Sequence, residues 1–410
     1  MTTLSVVVFI LVYLGMALGR VPWLAVDRTG VALLGLIALL ASEDLTLAEA
    51  GRAVDMPTLA LLFALMILSA QFENSGFYRW VAERVTHAAQ SPRILLAVLV
   101  AVTGFLAAVL TNDVVVFALT PLVCAGLMAQ DLDTRPYLVA LAGAANAGSA
   151  ATLIGNPQNI LIGQGGGLPF WHYILFALPP TIVSLAAVYF AVAWTWGASL
   201  KAAPTLPEES LGHESIDRFQ ILRGAAAVVT LVILFLTHLP RELAALAVAG
   251  GLLLSRRMSS REMIGAVDWH LLLLFTCLFG VTAAFAKTGI AQDGLQWLDA
   301  HGLLPERLSV LAPLTLASSN TIGNVPAVIL FIKLIPHLSE GALAGLALLS
   351  TFAGNLLLTG SMCNIIVAER ARSAGAHLSF GDFARSGVPM TLASFAVTIA
   401  WLWFTGLVPI

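Results

Sequence analysis

Four asparagines sit where apolar stretches of this chain are interrupted. They are Asn112 in Leu110-Thr111-Asn112-Asp113, Asn159 in Gly155-Asn156-Pro157-Gln158-Asn159, Asn324 in Ile322-Gly323-Asn324-Val325-Pro326, and Asn364 in Thr359-Gly360-Ser361-Met362-Cys363-Asn364. An amide in hydrocarbon is costly unless its hydrogen bonds are made. At a helix break it has two uses. Its carbonyl, together with freed backbone carbonyls, suits a cation such as Na⁺. The N–H groups freed at half-helix N-termini attract an anion. The candidate binding residues are therefore Thr111, Asn112 and Asp113; Gly155, Asn156 and Asn159; Asn320, Gly323 and Asn324; and Thr359, Ser361 and Asn364, with sodium candidates at Asn112 and Asn324. Each Asn could equally cap a half-helix or bond across a helix interface.

Asp113 is the one carboxylate at these breaks, since Val325 stands at the matching position. A carboxylate there can carry a proton or neutralise a bound Na⁺. It can also cap the helix that follows, and the two roles are compatible. Asn146 and Asn355 also align if a gap is allowed, and read as further ligands or as interhelical hydrogen bonds.

The elements that position these residues are written twice. Ala53-Val54-Asp55 and the run ending Ser69-Ala70-Gln71-Phe72 return 213 residues later as Ala266-Val267-Asp268 and a run ending Thr282-Ala283-Ala284-Phe285. Leu168, Phe170, Pro179 and Thr181 recur as Leu378, Phe380, Pro389 and Thr391. Asp55 and Asp268, each just before an apolar run, read as helix caps. Lys287 and Glu73 read as interfacial, Lys333 as snorkelling outward, and Trp171-His172-Tyr173 as an interface belt.

With 59% hydrophobic and 10% charged residues and a mean hydropathy of +0.92, the chain needs lipid as its solvent; soluble domains carry about 25% charged residues. The pattern predicts an all-α, multi-pass integral membrane protein of about ten transmembrane helices. The segment Thr3 to Gly19 lacks a positive n-region and a cleavage site, and reads as a retained helix. Cys124, Cys277 and Cys363 have no C-x-x-C spacing, so neither a disulfide framework nor a zinc site is expected. No cofactor is implied beyond a coupling ion, H⁺ or Na⁺. No basic block suggests nucleic acid. Without H-E-x-x-H, G-x-S-x-G or a nucleotide-binding glycine loop, neither an enzyme nor a built-in ATPase is expected, and no ATPase partner is indicated.

Charge gives the sidedness. The loop Glu43 to Asp55 is acidic with one arginine, whereas its counterpart Ser255 to Asp268 carries Arg256, Arg257 and Arg261. The next loop reverses, with Arg79, Arg84 and Arg93 against Asp293, Asp299 and Glu306. By the positive-inside rule, equivalent loops lie on opposite sides of the membrane. The repeats are thus inverted: residues 1–200, a cytoplasmic linker at 201–218, and residues 219–410. Threading the chain makes 94–129 and 308–338 re-entrant hairpins from opposite sides, with broken helices at 136–163 and 342–368 and both termini outside. Such repeats mark a secondary transporter with its site where the copies meet. A channel remains a different class, although paired broken helices fit alternating access better.

Leu110-Thr111-Asn112-Asp113-Val114, Asn146-Ala147-Gly148-Ser149, Ile154 to Asn159 and Gly323-Asn324-Val325-Pro326 resemble the ion transporter superfamily over essentially the whole chain. That group includes divalent anion/sodium symporters, arsenite efflux permeases and certain sodium/proton antiporters. The chain is most similar to its arsenite-permease-like branch. The resemblance implies a homodimer whose mobile domain, holding hairpins and broken helices, moves as an elevator against a scaffold. Carried over, it points to Asn112 with the Gly155–Asn159 loop and Asn324 with the Thr359–Asn364 loop as the sodium and substrate sites. The symporters' Ser-Asn-Thr tip is Thr111-Asn112-Asp113 here, which fits proton coupling. The expected function is gradient-driven transport of a small anion or oxyanion across the inner or plasma membrane, with arsenite or antimonite efflux leading. A sodium/proton antiporter or a dicarboxylate/citrate symporter is the alternative.

Overall fold

In the computed structural model, residues 2–18, 26–87, 91–201, 217–255, 257–335 and 338–409 are described. Most of the expected linker (202–216) and Arg256 lie outside them. Twenty α-helices run through the described residues, and the two repeats supply ten each in matching order. The first ten are α1 (Thr2–Leu18), α2 (Arg28–Ala41), α3 (Leu47–Ala53), α4 (Met56–Asn74), α5 (Phe77–His87), α6 (Pro92–Val109), α7 (Asn112–Met128), α8 (Thr134–Ser149), α9 (Pro157–Gly165) and α10 (Phe170–Thr195). The second ten are α11 (Arg218–Leu234), α12 (Arg241–Leu253), α13 (Ser260–Gly265), α14 (Trp269–Ala286), α15 (Ile290–Ala300), α16 (Leu308–Ile322), α17 (Asn324–Leu334), α18 (Glu340–Ala353), α19 (Met362–Ser373) and α20 (Phe380–Phe404).

The repeats also share the devices that start their helices. Short α3 and α13 each begin with a capping box, Thr46 with Glu49 and Ser259 with Glu262, which satisfies two orphan N–H groups reciprocally. Asp55 accepts from the Thr58 N–H at 3.2 Å, and Asp268 from the Leu271 N–H at 2.9 Å. Both aspartates are caps, as their position predicts. Hydrogen bonds from Lys287 and Thr46 hold the Glu49 carboxyl down at about 2 and tie the end of α14 to α3.

Among the described residues, five helices are long and apolar enough to cross a membrane: α4, α6, α10, α14 and α20. Several other apolar helices have 11 to 17 residues, short of the roughly 20 a full span needs. Seven of the shorter helices lie in pairs that follow one another across a break, α6 with α7, α16 with α17, α8 with α9, and α18 with α19, in which only α6 is a full span.

Contacts at their ends show that the two helix pairs point at each other. The Gln130 amide donates to the Thr86 carbonyl at 3.2 Å, so the chain leaves α7 beside the point where it enters α6. At this base Ser199, just past the end of α10, donates to Asp133 at 3.0 Å, and Arg135 lies 3.9 Å from Asp382 at the start of α20. The base of α16 and α17 is at the other end. The Leu308 N–H donates to the Pro409 carbonyl at 2.7 Å, just past the end of α20, and His172 at the start of α10 is 3.7 Å from Glu340. The 26 residues of α10 thus separate the bases by about 39 Å at roughly 1.5 Å per residue.

The helices sort into two groups by packing. One contains α1, α2 and α14, and α4 with α11 and α12; the other contains α6 to α10 with α16 to α20. The groups meet where α17 packs on α14, α9 on α4 and α16 on α1. Within the second group α6 and α8 touch backbone to backbone: a Cβ on Gly148 would lie 2.2 Å from the Gly104 carbonyl oxygen. Gly148→Val is therefore expected to lower the melting temperature of the detergent-purified protein, overpacking costing ~1–3 kcal/mol. Gly51→Ala, whose Cβ meets nothing within 4 Å, should leave it unchanged or raised; equal melting curves for the two variants would contradict this packing.

Candidate functional site

The break between α8 and α9 is held open by side chains. A Cβ on Gly155 would meet the Ser149 carbonyl oxygen at 2.3 Å and that of Ala107 at 2.8 Å, so only glycine fits. Asn156 then caps α9 by accepting from the Asn159 N–H at 2.8 Å, and Pro157 occupies the first turn, where its missing N–H costs nothing. The Asn159 amide donates to the Ser149 and Thr152 carbonyls at 3.5 and 3.0 Å, groups that the helix break leaves without helical partners.

The second break repeats this arrangement at a constant offset of 205 residues. Asn364 donates to the Gly354 and Leu357 carbonyls at 2.7 and 3.1 Å. Gly360 closes on the Gly354 carbonyl oxygen, 3.0 Å from its ideal Cβ, and Ser361 caps α19 by accepting from the Cys363 N–H at 3.3 Å.

The same offset pairs Asn146 with Thr351 rather than with Asn355, and each binds the opposite repeat. Asn146 donates to Asn364 and to Asn355 at 2.9 Å each and accepts from Ser361 at 3.0 Å. Thr351 donates to Asn159 at 3.3 Å and accepts from Asn156 at 3.2 Å and Gln158 at 3.4 Å. Each broken helix is thus pinned by a side chain from the other. Asn355 has another task, donating to the Gly143 carbonyl at 3.1 Å.

The two tips differ. The Asn112 N–H donates to the Gly155 carbonyl at 2.9 Å, its amide donates to Asn146 at 3.3 Å, and its oxygen accepts from the Asp113 N–H at 2.9 Å. At the other tip Gly323 adopts φ +94°, a left-handed turn that favours glycine. It presents Asn324, whose buried Oδ1 has no hydrogen-bond partner. The Thr111 hydroxyl is likewise buried without a partner. Asn320 straps α16 to α18 by donating to the Leu316 and Ala353 carbonyls at 3.0 and 2.9 Å.

Between the tips lies a cavity of about 50 Å³. Asn112, Asp113, Gln158, Asn324 and Ser361 face it from the second helix group, and Met16, Arg28, Leu271 and Leu274 from the first. The first residues of four helices, α7, α9, α17 and α19, all border it. Side chains cap α9 and α19 but neither α7 nor α17. Four helix N-termini aimed at one small space make it electropositive without any cation.

Of the residues singled out in the sequence, Asn112, Asp113, Gly323, Asn324 and Ser361 border the cavity. Asn156, Asn159, Asn364, Asn146 and Asn355 stand behind it with their amides engaged in the breaks, so they shape the site rather than line it. Thr359 is exposed on a short 3₁₀ turn away from the cavity. Asp113 is not the helix cap: it lies one residue inside α7, after Asn112, with its carboxylate on the cavity wall. Asn112 keeps its oxygen for the Asp113 N–H, so of Asn112 and Asn324 only Asn324 has a free acceptor; the Asn320 oxygen, outside the cavity lining, is also without a partner. Tyr173 is buried rather than interfacial, donating to the Ala150 carbonyl at 2.8 Å and accepting from Asn159 at 3.2 Å. Lys333 is exposed, and its ammonium lies 5.2 Å from the Phe279 ring centroid on α14.

Arg28 was not legible as a site residue. It follows the α2 cap Asp27 and precedes an apolar run, the usual setting of an interfacial arginine.

Comparison with known proteins agrees with this architecture. The family model described as CitMHS, citrate transporter, matches residues 7–349. An uncharacterized transporter of Mycobacterium tuberculosis is 28% identical, with 98% of each chain covered. The silicon efflux transporter LSI3 of Oryza sativa subsp. japonica is 27% identical, covering 92% of this chain and 93% of its own. The crystal structure of the Alcanivorax borkumensis YdaH transporter shares the fold at a TM-score of 0.57 and 18% identity, over 99% of this chain and 98% of that one.

Asn146→Leu would leave Asn364 and Asn355 without their donor and Ser361 without its acceptor, each lost partner costing ~1–3 kcal/mol. A lower melting temperature is expected, and Thr351→Val should act in the same direction more weakly. Wild-type melting in Asn146→Leu would remove the cross-repeat network as a source of stability.

Proposed function

Because this chain belongs to the citrate transporter (CitMHS) family of the ion transporter superfamily, we propose that it carries a small oxyanion or its oxyacid across the inner or plasma membrane, driven by a proton gradient acting through Asp113. It is an integral membrane transporter and not an enzyme. The observation that carries the anion reading is the convergence of four helix N-termini on one cavity with a single carboxylate in its wall.

A charged Asp113 opposes an anion beside it, while a protonated one can donate a hydrogen bond to it. Binding should therefore strengthen as pH falls through the titration of Asp113, which makes the proton a co-substrate. The cavity's 50 Å³ takes roughly three to five waters at about 10–15 Å³ of such space each, a size that favours an inorganic oxyacid over a tricarboxylate. Efflux of arsenite or antimonite is the leading specific substrate, and silicic acid joins it through the rice relative's name. Citrate, after which the family is described, is the alternative. The second helix group would be the moving part of an elevator and the first group the scaffold, with two copies forming a dimer.

One observation favours a second reading. The free Oδ1 of Asn324 and the Asp113 carboxylate border one cavity from opposite tips, a donor set that suits Na⁺. A sodium/proton antiporter would use it without any anion.

Uptake into proteoliposomes under separately imposed proton and sodium gradients distinguishes these readings, with arsenite, silicic acid, phosphate, sulfate and citrate offered in turn. Accumulation of one solute under the proton gradient is expected; sodium–proton exchange with no anion requirement would replace the first reading by the second. Asn112→Ala and Asn324→Ala should lower uptake at least about tenfold, the effect of losing ~1.5–3 kcal/mol hydrogen bonds to a charged group, while the protein stays monodisperse. Asp113→Asn, a mimic of the protonated side chain, should make uptake nearly independent of pH. An unchanged pH profile would remove Asp113 as the proton carrier.

A further inference from the structure

Arg28 is the one cation that borders the cavity among the described residues, and it reaches it from the wall opposite the hairpin tips. It opens α2, in the helix group that holds none of the candidate asparagines. Its Nε donates to the Met16 carbonyl at 3.2 Å, which fixes the guanidinium at the cavity edge. Neither Nη group has a protein partner among the described residues. The nearby acids are engaged elsewhere: Asp27 caps α2 through the Gly30 N–H at 2.8 Å, and Asp268 caps α14. A half-buried guanidinium fixed through one nitrogen, with its two-pronged end open to a cavity, is the arrangement that recognises a planar or tetrahedral oxyanion.

We propose that Arg28 reads the charge of the substrate, so that the cavity selects a small oxygen monoanion held between Arg28 and the hairpin tips. This inference rests on the reading above that the cavity takes an anion, and it adds which charge state is taken and from which wall. The reasoning is charge balance in a small space shielded from water. The lining carries one positive group, Arg28, and one negative group, Asp113. Counting side chains, a monoanion that arrives with one proton for Asp113 leaves the cavity neutral, whereas a dianion leaves one formal negative charge with no second cation in the lining and only the partial charges of the helix N-termini to meet it. Asp268 at the α14 start and the buried Cys363 beside Asp113 supply no positive charge.

The test uses phosphate and sulfate, which share size and shape and differ in charge. At mildly acidic pH phosphate is mostly the monoanion while sulfate stays a dianion. Binding of each to the detergent-purified full chain is measured by calorimetry for wild type, Arg28→Gln and Arg28→Lys, with gel filtration and melting curves as fold controls. Phosphate should bind wild type and sulfate should not compete. Arg28→Gln should weaken phosphate binding about tenfold or more, and Arg28→Lys, which keeps the charge, should recover part of the loss. Phosphate binding unchanged in Arg28→Gln overturns the role of Arg28 while leaving the anion site in place. Equal loss in both variants shows that positive charge at this position does not by itself hold the anion, and overturns the reading of substrate charge. Sulfate bound as tightly as phosphate overturns the charge selection. A wild type that binds no anion and carries only neutral arsenous acid removes the anion reading itself, and this inference with it.

Discussion

A polypeptide that stops being helical inside a membrane must find hydrogen-bond partners for the backbone groups it frees, because hydrocarbon supplies none. That requirement organises this molecule. Asn159 and Asn364 each reach back to two carbonyls seven and ten residues upstream and take the place of the missing helical donors. Gly155 and Gly360 let the chain pass within contact of those carbonyls. With the breaks satisfied, α9 and α19 can start in the interior, where their N-termini create a positive potential. The candidate site follows from the repair of the break.

The repair also explains why the repeats need each other. A break stabilised only by its own side chains would still expose the polar faces of Asn159 and Asn364. Thr351 and Asn146, each from the opposite repeat, cover them. The two-fold relation is kept in these positions and relaxed at the tips, where the Asn112 oxygen is engaged and Asn324 retains a free oxygen. A symmetric frame thus carries an asymmetric site. One tip supplies a carboxylate and the other an open acceptor, so in the proposed mechanism the proton and the transported species need not compete for the same atoms.

Much of this frame was legible in the sequence, because its signals are the ones that hydrocarbon enforces. Gly, Pro and Asn interrupting apolar runs mark the breaks, and a helix is found on each side of every one. Opposite charge in equivalent loops anticipates two hairpins with bases at opposite ends of α10. Side-chain partnerships were less legible. Asn146 invites pairing with the nearest asparagine, Asn355, yet its counterpart is Thr351, since a hydroxyl can replace an amide where one donor and one acceptor suffice. Tyr173 stands in a Trp-His-Tyr run typical of an interface and is instead drawn inward to the Ala150 carbonyl that the break leaves free. Arg28 shows the same limit. At a helix start its type and position fit lipid headgroups as well as a cavity, and only the placement of α2 against the tips separates the two.

That placement divides the cavity by chemistry. The tips, Gln158 and Ser361 form a polar wall in which Asn146 joins Asn112 to Ser361 and Thr351 holds Gln158, all within one helix group. The facing wall is Met16, Leu271 and Leu274, apolar side chains that ask for no directional partner, with Arg28 at its edge. A shift of one helix group past the other would leave every one of those amide bonds intact and, at the cavity, exchange mainly apolar contacts, which have little directional cost; away from it, the Gln164–Glu242 and Arg241–Leu168 hydrogen bonds also cross between the groups. Arg28 is the exception, because it is the single group in the cavity whose charge belongs to the wall that the tips would leave behind. Its interaction with a bound ion is therefore the one that such a shift must break.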